Sequence, residues 1–251
     1  MFMKDETLDS FISREFCLIQ DRAGYRFSMD PLLLAYFTRV KEGDRVVDLG
    51  SGNGIIALLL SKLYAHALFL AVEIQPRLAD QALRNSILNN VSHRISVLHE
   101  DLQHLPRLFQ AGSFDVIVSN PPYRALHSGR INPNPCRAKA RHEMIIPLET
   151  FISTAGFLLK NGGRAYFMFP SPRLAELITL LRSYHLEPKI LRLLYSDHAS
   201  ESRNFIIEAH KNRNVGLRIL PPFILYQSKG TASENLRSMY TFYRQKINSS
   251  S

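Results

Sequence analysis

The chain has no tryptophan, two cysteines in 251 residues and no long apolar run. Cys17 and Cys136 are too few and too scattered for a disulfide framework or a zinc site, so both are expected as reduced thiols. The longest uninterrupted apolar stretches, such as Ile55 to Leu60, reach about six residues, against the roughly 20 that a membrane-spanning helix needs. Met1 to Asp9 carries acids where a secretory leader has an apolar segment, which predicts a cytoplasmic protein with no membrane partner. Acid is missing from one further place. Between Tyr123 and His142 stand five cations, Arg124, Arg130, Arg137, Lys139 and Arg141, with no Asp or Glu among them.

That local excess belongs to a wider asymmetry. Residues 1–119 carry 12 Lys+Arg against 14 Asp+Glu, whereas residues 120–251 carry 19 against 8, within a whole-chain net charge of +9. A polyanion such as RNA would meet the positive field of the second part first. With 45% apolar residues, a chain of this length can bury a full core as a single domain.

Periodicity predicts an alternation of strands at 45–49, 68–73, 94–98, 115–119, 164–170, 189–195 and 203–209 with helices at 53–64, 76–91, 148–160 and 172–184. Pro76 and Pro172 suit first-turn positions, and Gly162-Gly163 is expected to end one helix and turn into the next strand. Alternation with short links predicts an α/β fold with a doubly wound, mostly parallel, seven-stranded sheet. The last two strands lack a helix between them, which predicts an antiparallel edge strand. Within one domain the reading assigns residues 1–44 to an N-terminal segment, 45–227 to the core and 228–251 to a terminal helix and tail. In that helix Leu236, Met239, Tyr240 and Tyr243 share one face, expected to dock on the core or, for a tyrosine, to stack on a base.

Two motifs carry the chemistry. Asn120-Pro121-Pro122-Tyr123 follows the apolar run Asp115 to Val118. Two prolines remove two backbone donors and hold the chain extended, leaving carbonyls, the Asn side chain and the Tyr ring available together. Such an array suits a planar group bearing an NH2, and so methyl transfer to nitrogen. Upstream, Val46-Val47-Asp48-Leu49-Gly50-Ser51-Gly52-Asn53-Gly54 reads as a buried strand and a glycine-rich turn opening a helix, where backbone can approach a ligand closely. A dinucleotide fingerprint, counted from Gly50, would place its third glycine at Ile55; here the register is G-x-G-x-G, which resembles the S-adenosylmethionine loop of Rossmann-like methyltransferases. Glu73 ends the next strand about 20 residues on, where a ribose-binding carboxylate is expected. Asp101-Leu102 follows the strand after that.

Taken whole, the sequence resembles the adenine-N6 methyltransferase family that modifies adenine 37 of a valine tRNA. Gly24-Tyr25-Arg26-Phe27-Ser28-Met29-Asp30 looks like the family's N-terminal signature and Ala140-Arg141-His142-Glu143 like a short element after its catalytic loop. The similarity runs from about Phe16 to the last helix. It implies S-adenosylmethionine as cofactor, held by Asp48, Gly50, Gly52, Asn53 and Gly54 around the methionine part, Glu73 at the ribose, Asp101 and Leu102 at the adenine, with Ser28, Asp30 and Asn120 nearby. Ser28 and Asp30 could equally cap the helix that follows. The catalytic group would be Asn120, Pro121, Pro122 and Tyr123, with no metal.

The lone pair of an exocyclic amine is delocalised, so acceptors that hold it in a pyramidal form serve better than a strong base. Asn120 Oδ1 and the Pro121 carbonyl are the expected acceptors, and Tyr123 the stacking partner, a contact worth about 1–3 kcal/mol. The irregular segment 124–147, rich in proline and cations, is expected to clamp tRNA or to be a surface loop. Relatives with the same tetrapeptide act on ribosomal RNA, DNA adenine or protein glutamine. No segment is long enough for a DNA target-recognition insert, and only 45 residues precede Val46, too few for the helical substrate domain of glutamine enzymes. The alternatives are methylation of ribosomal RNA adenine N6 or of protein glutamine N5, and, of another class, a non-catalytic RNA-binding protein.

Overall fold

The computed structural model describes residues 3, 5–10, 12–13, 16–22, 28–121, 147–228 and 230–248. It begins with an antiparallel hairpin, β1 (Glu6–Ser10) and β2 (Cys17–Asp21). Then come α1 (Asp30–Phe37), β3 (Arg45–Leu49), α2 (Ile55–Leu63), β4 (Leu68–Glu73), α3 (Pro76–Leu88) and β5 (Ile95–His99). A 3-10 turn at Leu102–His104 leads through the short α4 (Leu105–Leu108) to β6 (Phe114–Ser119). The second part holds α5 (Leu148–Leu158), β7 (Leu159–Pro170), α6 (Leu174–Ser183), β8 (Leu186–Tyr195) and β9 (Ser202–Lys211). It closes with short strands β10 (Arg218–Ile219), β11 (Phe223–Ile224), β12 (Tyr226–Ser228) and β13 (Thr231–Ala232), and with α7 (Glu234–Asn248).

Seven long strands form the central sheet in the order β8-β9-β7-β6-β3-β4-β5, and β10 and β11 pair in parallel with the outer side of β8. The seven expected strands are therefore present, and two fragments make the sheet nine-stranded. The antiparallel strand is β9, which pairs with both β7 and β8 and so lies one place in from the edge. The link 196–201 is too short for a crossover and can only return the chain alongside β8. β3 is buried from Val46 to Leu49, as a parallel strand covered on both faces must be.

Apolar clusters fill the two faces. One joins α1, α2 and α7 to the sheet through Leu33, Leu58, Met168 and Met239, and the other joins α5 and α6 through Ile152, Leu158, Leu177 and Phe205. In α7 the buried positions are Leu236, Met239, Tyr243 and Ile247, one face at 3-4-4 spacing. Tyr243 is fully buried and its hydroxyl donates to the Leu32 carbonyl at 2.6 Å. It is a docking residue with no ring face left for a base. Pro76 does open α3, while Pro172 lies in a 3-10 turn, Ser171–Arg173, ahead of α6. The Gly162-Gly163 pair departs from expectation: α5 ends at Leu158, and both glycines lie in β7, where Leu159 pairs with Phe114 but Arg164 already pairs with Val116. Gly162 takes φ +73° in that excursion.

The hairpin β1–β2 is pinned to α3 by polar groups. Glu6, 1% exposed, accepts from Arg84 at 2.6 Å and from Gln81 at 3.0 Å. The Arg84 guanidinium holds the Glu6 carboxyl down at about 2. Asp21 accepts from Arg77 and Gln81, both at 2.7 Å.

Candidate active site

β3, β4 and β6 all run parallel, so their carboxyl ends open at one edge of the sheet, the usual ligand position in such folds. From β3 the chain enters the glycine-rich turn. Gly50 and Ser51 N–H groups both donate to the Val72 carbonyl at 2.9 Å, which ties the turn to the end of β4. Gly52 stands at φ +58° and its N–H donates to Glu73 Oε2 at 2.8 Å. Gly54, at φ +83°, begins α2 and serves packing: a Cβ there would lie 3.0 Å from the Ala82 Cβ on α3. The three glycines thus divide between the turn and a helix contact.

The acids differ sharply in environment. Asp48 is 1% exposed and neither carboxylate oxygen has a hydrogen-bond partner of ordinary geometry. Burial pushes its carboxyl up to about 8; the nearby Ala57 N–H in the first turn of α2 opposes this, and Glu73 adds repulsion. Ser51 Oγ and both side-chain polar atoms of Asn53 are likewise buried without partners. A buried, uncompensated carboxylate amid unsatisfied polar atoms is costly unless a ligand completes it. An ammonium plus hydrogen-bonding groups, as on the methionine part of S-adenosylmethionine, fits that donor set. Glu73 is already half used: Oε1 accepts from Gln75 N–H at 2.9 Å and Oε2 from Gly52 N–H. Its carboxyl is raised mainly by burial, against the pull of those two N–H groups. The remaining lone pairs of Glu73 suit ribose hydroxyls.

Asp101 is placed at the end of β5, where its Oδ1 accepts from Gln103 N–H at 2.9 Å and caps the 3-10 turn; Leu102 beside it is buried. Asp30 opens α1 next to Pro31, and Met29 rather than Ser28 is the N-cap. Ser28 Oγ accepts from Asp30 N–H at 3.2 Å, and Asn204 Nδ2 donates to Asp30 Oδ1 at 3.5 Å. Asn204 pairs with Pro170, the last residue of β7, so Asp30 faces the same end of the sheet as the glycine turn. Burial raises the Asp30 carboxyl, opposed by side-chain hydrogen bonding from Ser28 and Asn204.

Asn120 and Pro121 leave the end of β6, half-buried and buried respectively. Pro122, Tyr123 and the cations Arg124, Arg130, Arg137, Lys139 and Arg141 lie outside the described residues. One contact fixes the two motifs together. The buried Ser119 hydroxyl donates to the Leu49 carbonyl at 2.6 Å, joining the residue before Asn120 to the residue before Gly50.

Two positions escaped the sequence reading. Ser119 is one. The other is Asn85 on α3, fully buried, whose amide donates to the Asn53 carbonyl at 3.0 Å and to the Ile19 carbonyl at 3.1 Å while accepting from Ile19 N–H at 2.7 Å. It connects the N-terminal hairpin to the glycine turn. A polar residue on a helix carries no such signal, since its partners lie 32 and 66 positions away.

Comparison with known proteins agrees with this geometry. The family model described as methyltransferase small domain matches residues 30–172. A protein of Tolumonas auensis named tRNA1(Val) (adenine(37)-N6)-methyltransferase is 32% identical over 172 residues, 68% of this chain and 70% of that one. One of the same name from Pedobacter heparinus is 29% identical over 190 residues, 75% and 79%. Among solved structures, a predicted O-methyltransferase from Agrobacterium tumefaciens superimposes with a TM-score of 0.69 at 20% identity, covering 86% of this chain and 97% of that one.

Proposed function

The chain belongs to the methyltransferase small domain family, and we propose that it methylates N6 of an adenine in RNA, adenine 37 in the anticodon loop of a valine tRNA. It is an S-adenosylmethionine-dependent enzyme. The observation that carries the reading is the Ser119–Leu49 bond of 2.6 Å, which clamps the turn that would hold an amine against the turn that would hold a methyl donor.

When bound, S-adenosylmethionine supplies an electrophilic methyl group. Asp48 holds the ammonium of its methionine part, and Glu73 the ribose. Asn120 Oδ1 and the Pro121 carbonyl accept the two N–H bonds of the adenine amine and favour the pyramidal nitrogen that can attack. As the new N–C bond forms, the sulfonium S–C bond would break with its electron pair going to sulfur, which leaves as a neutral thioether, while the amine sheds one proton past these acceptors to water, so neither acceptor needs to be a strong base. Pro122 carries no backbone N–H to compete for these acceptors, and Tyr123 would stack on the base. Alignment is the chief contribution, since effective molarity alone supplies up to ~7–11 kcal/mol of a barrier. A base in an anticodon loop splays out cheaply, whereas a duplex base costs unstacking.

Tritium transfer from labelled cofactor to total tRNA, ribosomal RNA and ribosomal protein, run in parallel, tests this. Label is expected in tRNA as N6-methyladenosine, falling about 100-fold or more in Asn120→Ala while cofactor binding persists. Label confined to ribosomal RNA moves the target and keeps the chemistry. Label in protein, or none, sinks the reading.

A further inference from the structure

The catalytic turn lies at the carboxyl end of the sheet, yet only five of the 19 cations in residues 120–251 lie between Arg124 and Arg141. Five of the others, Lys189, Arg192, Arg213, Arg218 and Arg237, stand on β8 or on the segments that flank its outer side. This strand of ten residues spans roughly 30 Å. Its carboxyl end is joined to the β12–β13 hairpin by Leu225 N–H donating to the Tyr195 carbonyl at 2.9 Å. There the Arg237 guanidinium rests on the Ala232 carbonyl at 2.6 Å.

Midway along β8 a cavity of about 320 Å³ opens between the sheet, α1 and α7, with Arg39 and Arg192 in its lining. Arg192 lies 4.6 Å from the Phe37 ring centroid and its buried Nε has no acceptor. The Tyr166 hydroxyl in the same lining is buried and also lacks a partner of ordinary geometry. Glu208, the acid there, is engaged by His210 Nε2 at 2.5 Å.

Toward the amino end, residues 212–219 form a strip exposed at every position. β10 and the Leu220 N–H to Leu191 carbonyl bond, 2.9 Å, hold this strip on β8. Among the described residues Lys189 bonds a neutral group, the Asn214 carbonyl, at 3.0 Å. Arg213 and Arg218 have no carboxylate partner among the described residues. Arg213 lies against Gly162, where a Cβ would come within 2.8 Å of its terminal nitrogen. Exposed Val215, Leu217 and Ile219 stand among these residues, with Leu217 and Ile219 flanking Arg218.

Unpaired cations of one sign, aligned along one edge with donors left open, are what a chain of phosphates recognises, and the interleaved apolar side chains can pack on sugars. We propose that the β8 edge is a second RNA-binding surface, a track from Arg237 through Arg39 and Arg192 to Lys189, Arg213 and Arg218. It holds the body of the tRNA beyond its anticodon loop. The inference rests on the tRNA reading above, and it adds a reason for the enzyme to prefer a whole tRNA over an excised stem-loop.

Binding of a valine tRNA transcript and of its excised anticodon stem-loop, measured by fluorescence anisotropy from 50 to 200 mM salt, decides the matter. The whole tRNA should bind the wild type about tenfold or more tighter than the stem-loop. The double variant R213A/R218A should lose that advantage, with the log–log salt slope smaller by about 2. R213K/R218K, which keeps the charge, should restore both. Equal binding of the two RNAs by the wild type overturns the proposal. So does an unchanged slope in R213A/R218A, which would assign the strip to another partner. Methyl transfer is scored separately. If the wild type binds as expected yet labels no tRNA, the track stands and the catalytic reading falls.

Discussion

Two regions of one sheet treat charge in opposite ways. Around the glycine turn the molecule buries acids: Asp48 without partners, Glu73 tied to loop N–H groups, and Glu6 beneath Arg84. Along the β8 edge it exposes cations, and among the described residues Arg213 and Arg218 find no acid. A buried acid is poised for a small cation that fits one place, because desolvation makes each misplaced atom costly. An exposed cation suits a long polyanion, where screening weakens each contact and the sum of many provides affinity. The first arrangement specifies a cofactor, the second a surface for a large substrate.

The strongest way to break this contrast is to neutralise the buried acid. Asp48→Asn should weaken cofactor binding by about 100-fold in calorimetry, a typical loss for a desolvated charge-assisted contact. The sign for pH follows from the raised carboxyl. Below about 8 the unliganded protein holds the proton on Asp48, so binding a cation must release it. Affinity should fall as pH drops below that value, approaching about tenfold per unit, and should lose this dependence in Asp48→Asn. The same raised carboxyl costs unliganded stability as pH rises toward 8, so Asp48→Asn should be the more stable protein in alkaline buffer. A variant that binds cofactor normally would remove Asp48 from the site.

A smaller effect is expected at the bridge between hairpin and turn. Asn85→Ala leaves the Ile19 backbone and the Asn53 carbonyl unsatisfied in a buried place. That should cost about 1–3 kcal/mol of stability and raise the cofactor Kd, read by denaturant melts and calorimetry on one preparation. Lost stability with an unchanged Kd would confine Asn85 to folding.

The smallest effect sharpens the contrast within the acidic region itself. Glu6, unlike Asp48, has its cation in place, and its carboxyl is lowered to about 2. Its contribution is therefore complete above the ordinary Glu value and is lost as pH falls from about 4.5 toward 2. Hydrogen exchange in residues 6–21 should rise across that window, and Glu6→Gln should flatten the change. Exchange that rises equally in both proteins would assign acid loosening elsewhere.

Much of the fold was legible because its signals are local. The seven long strands and four of the helices packed on them, α2, α3, α5 and α6, carry buried runs, first-turn prolines or glycine turns in contiguous sequence. The antiparallel return of β9 was visible in the missing helix between it and β8. The hairpin β1–β2 was not: its buried positions include Glu6 and Gln20, which polarity places outside, and the α3 partners of Glu6 lie 75 and 78 positions away. Strands β10 to β13 have two or three residues each, too few for a period to register. At the candidate site the motifs fall on turns at the carboxyl ends of β3 and β6, but they could not divide the work within them. Gly54 answers to Ala82 on a neighbouring helix, and Asp101 spends one oxygen on its own backbone turn.

The bond from Tyr243 to Leu32 joins residues 211 positions apart. A ribosome releases the amino-terminal part of a chain first, so the Leu32 carbonyl must wait for this donor until α7, Glu234–Asn248, has emerged. The apolar surface that Leu236, Met239, Tyr243 and Ile247 cover stays bare up to that point. Until then the nascent protein depends on whatever in the cell shelters such faces.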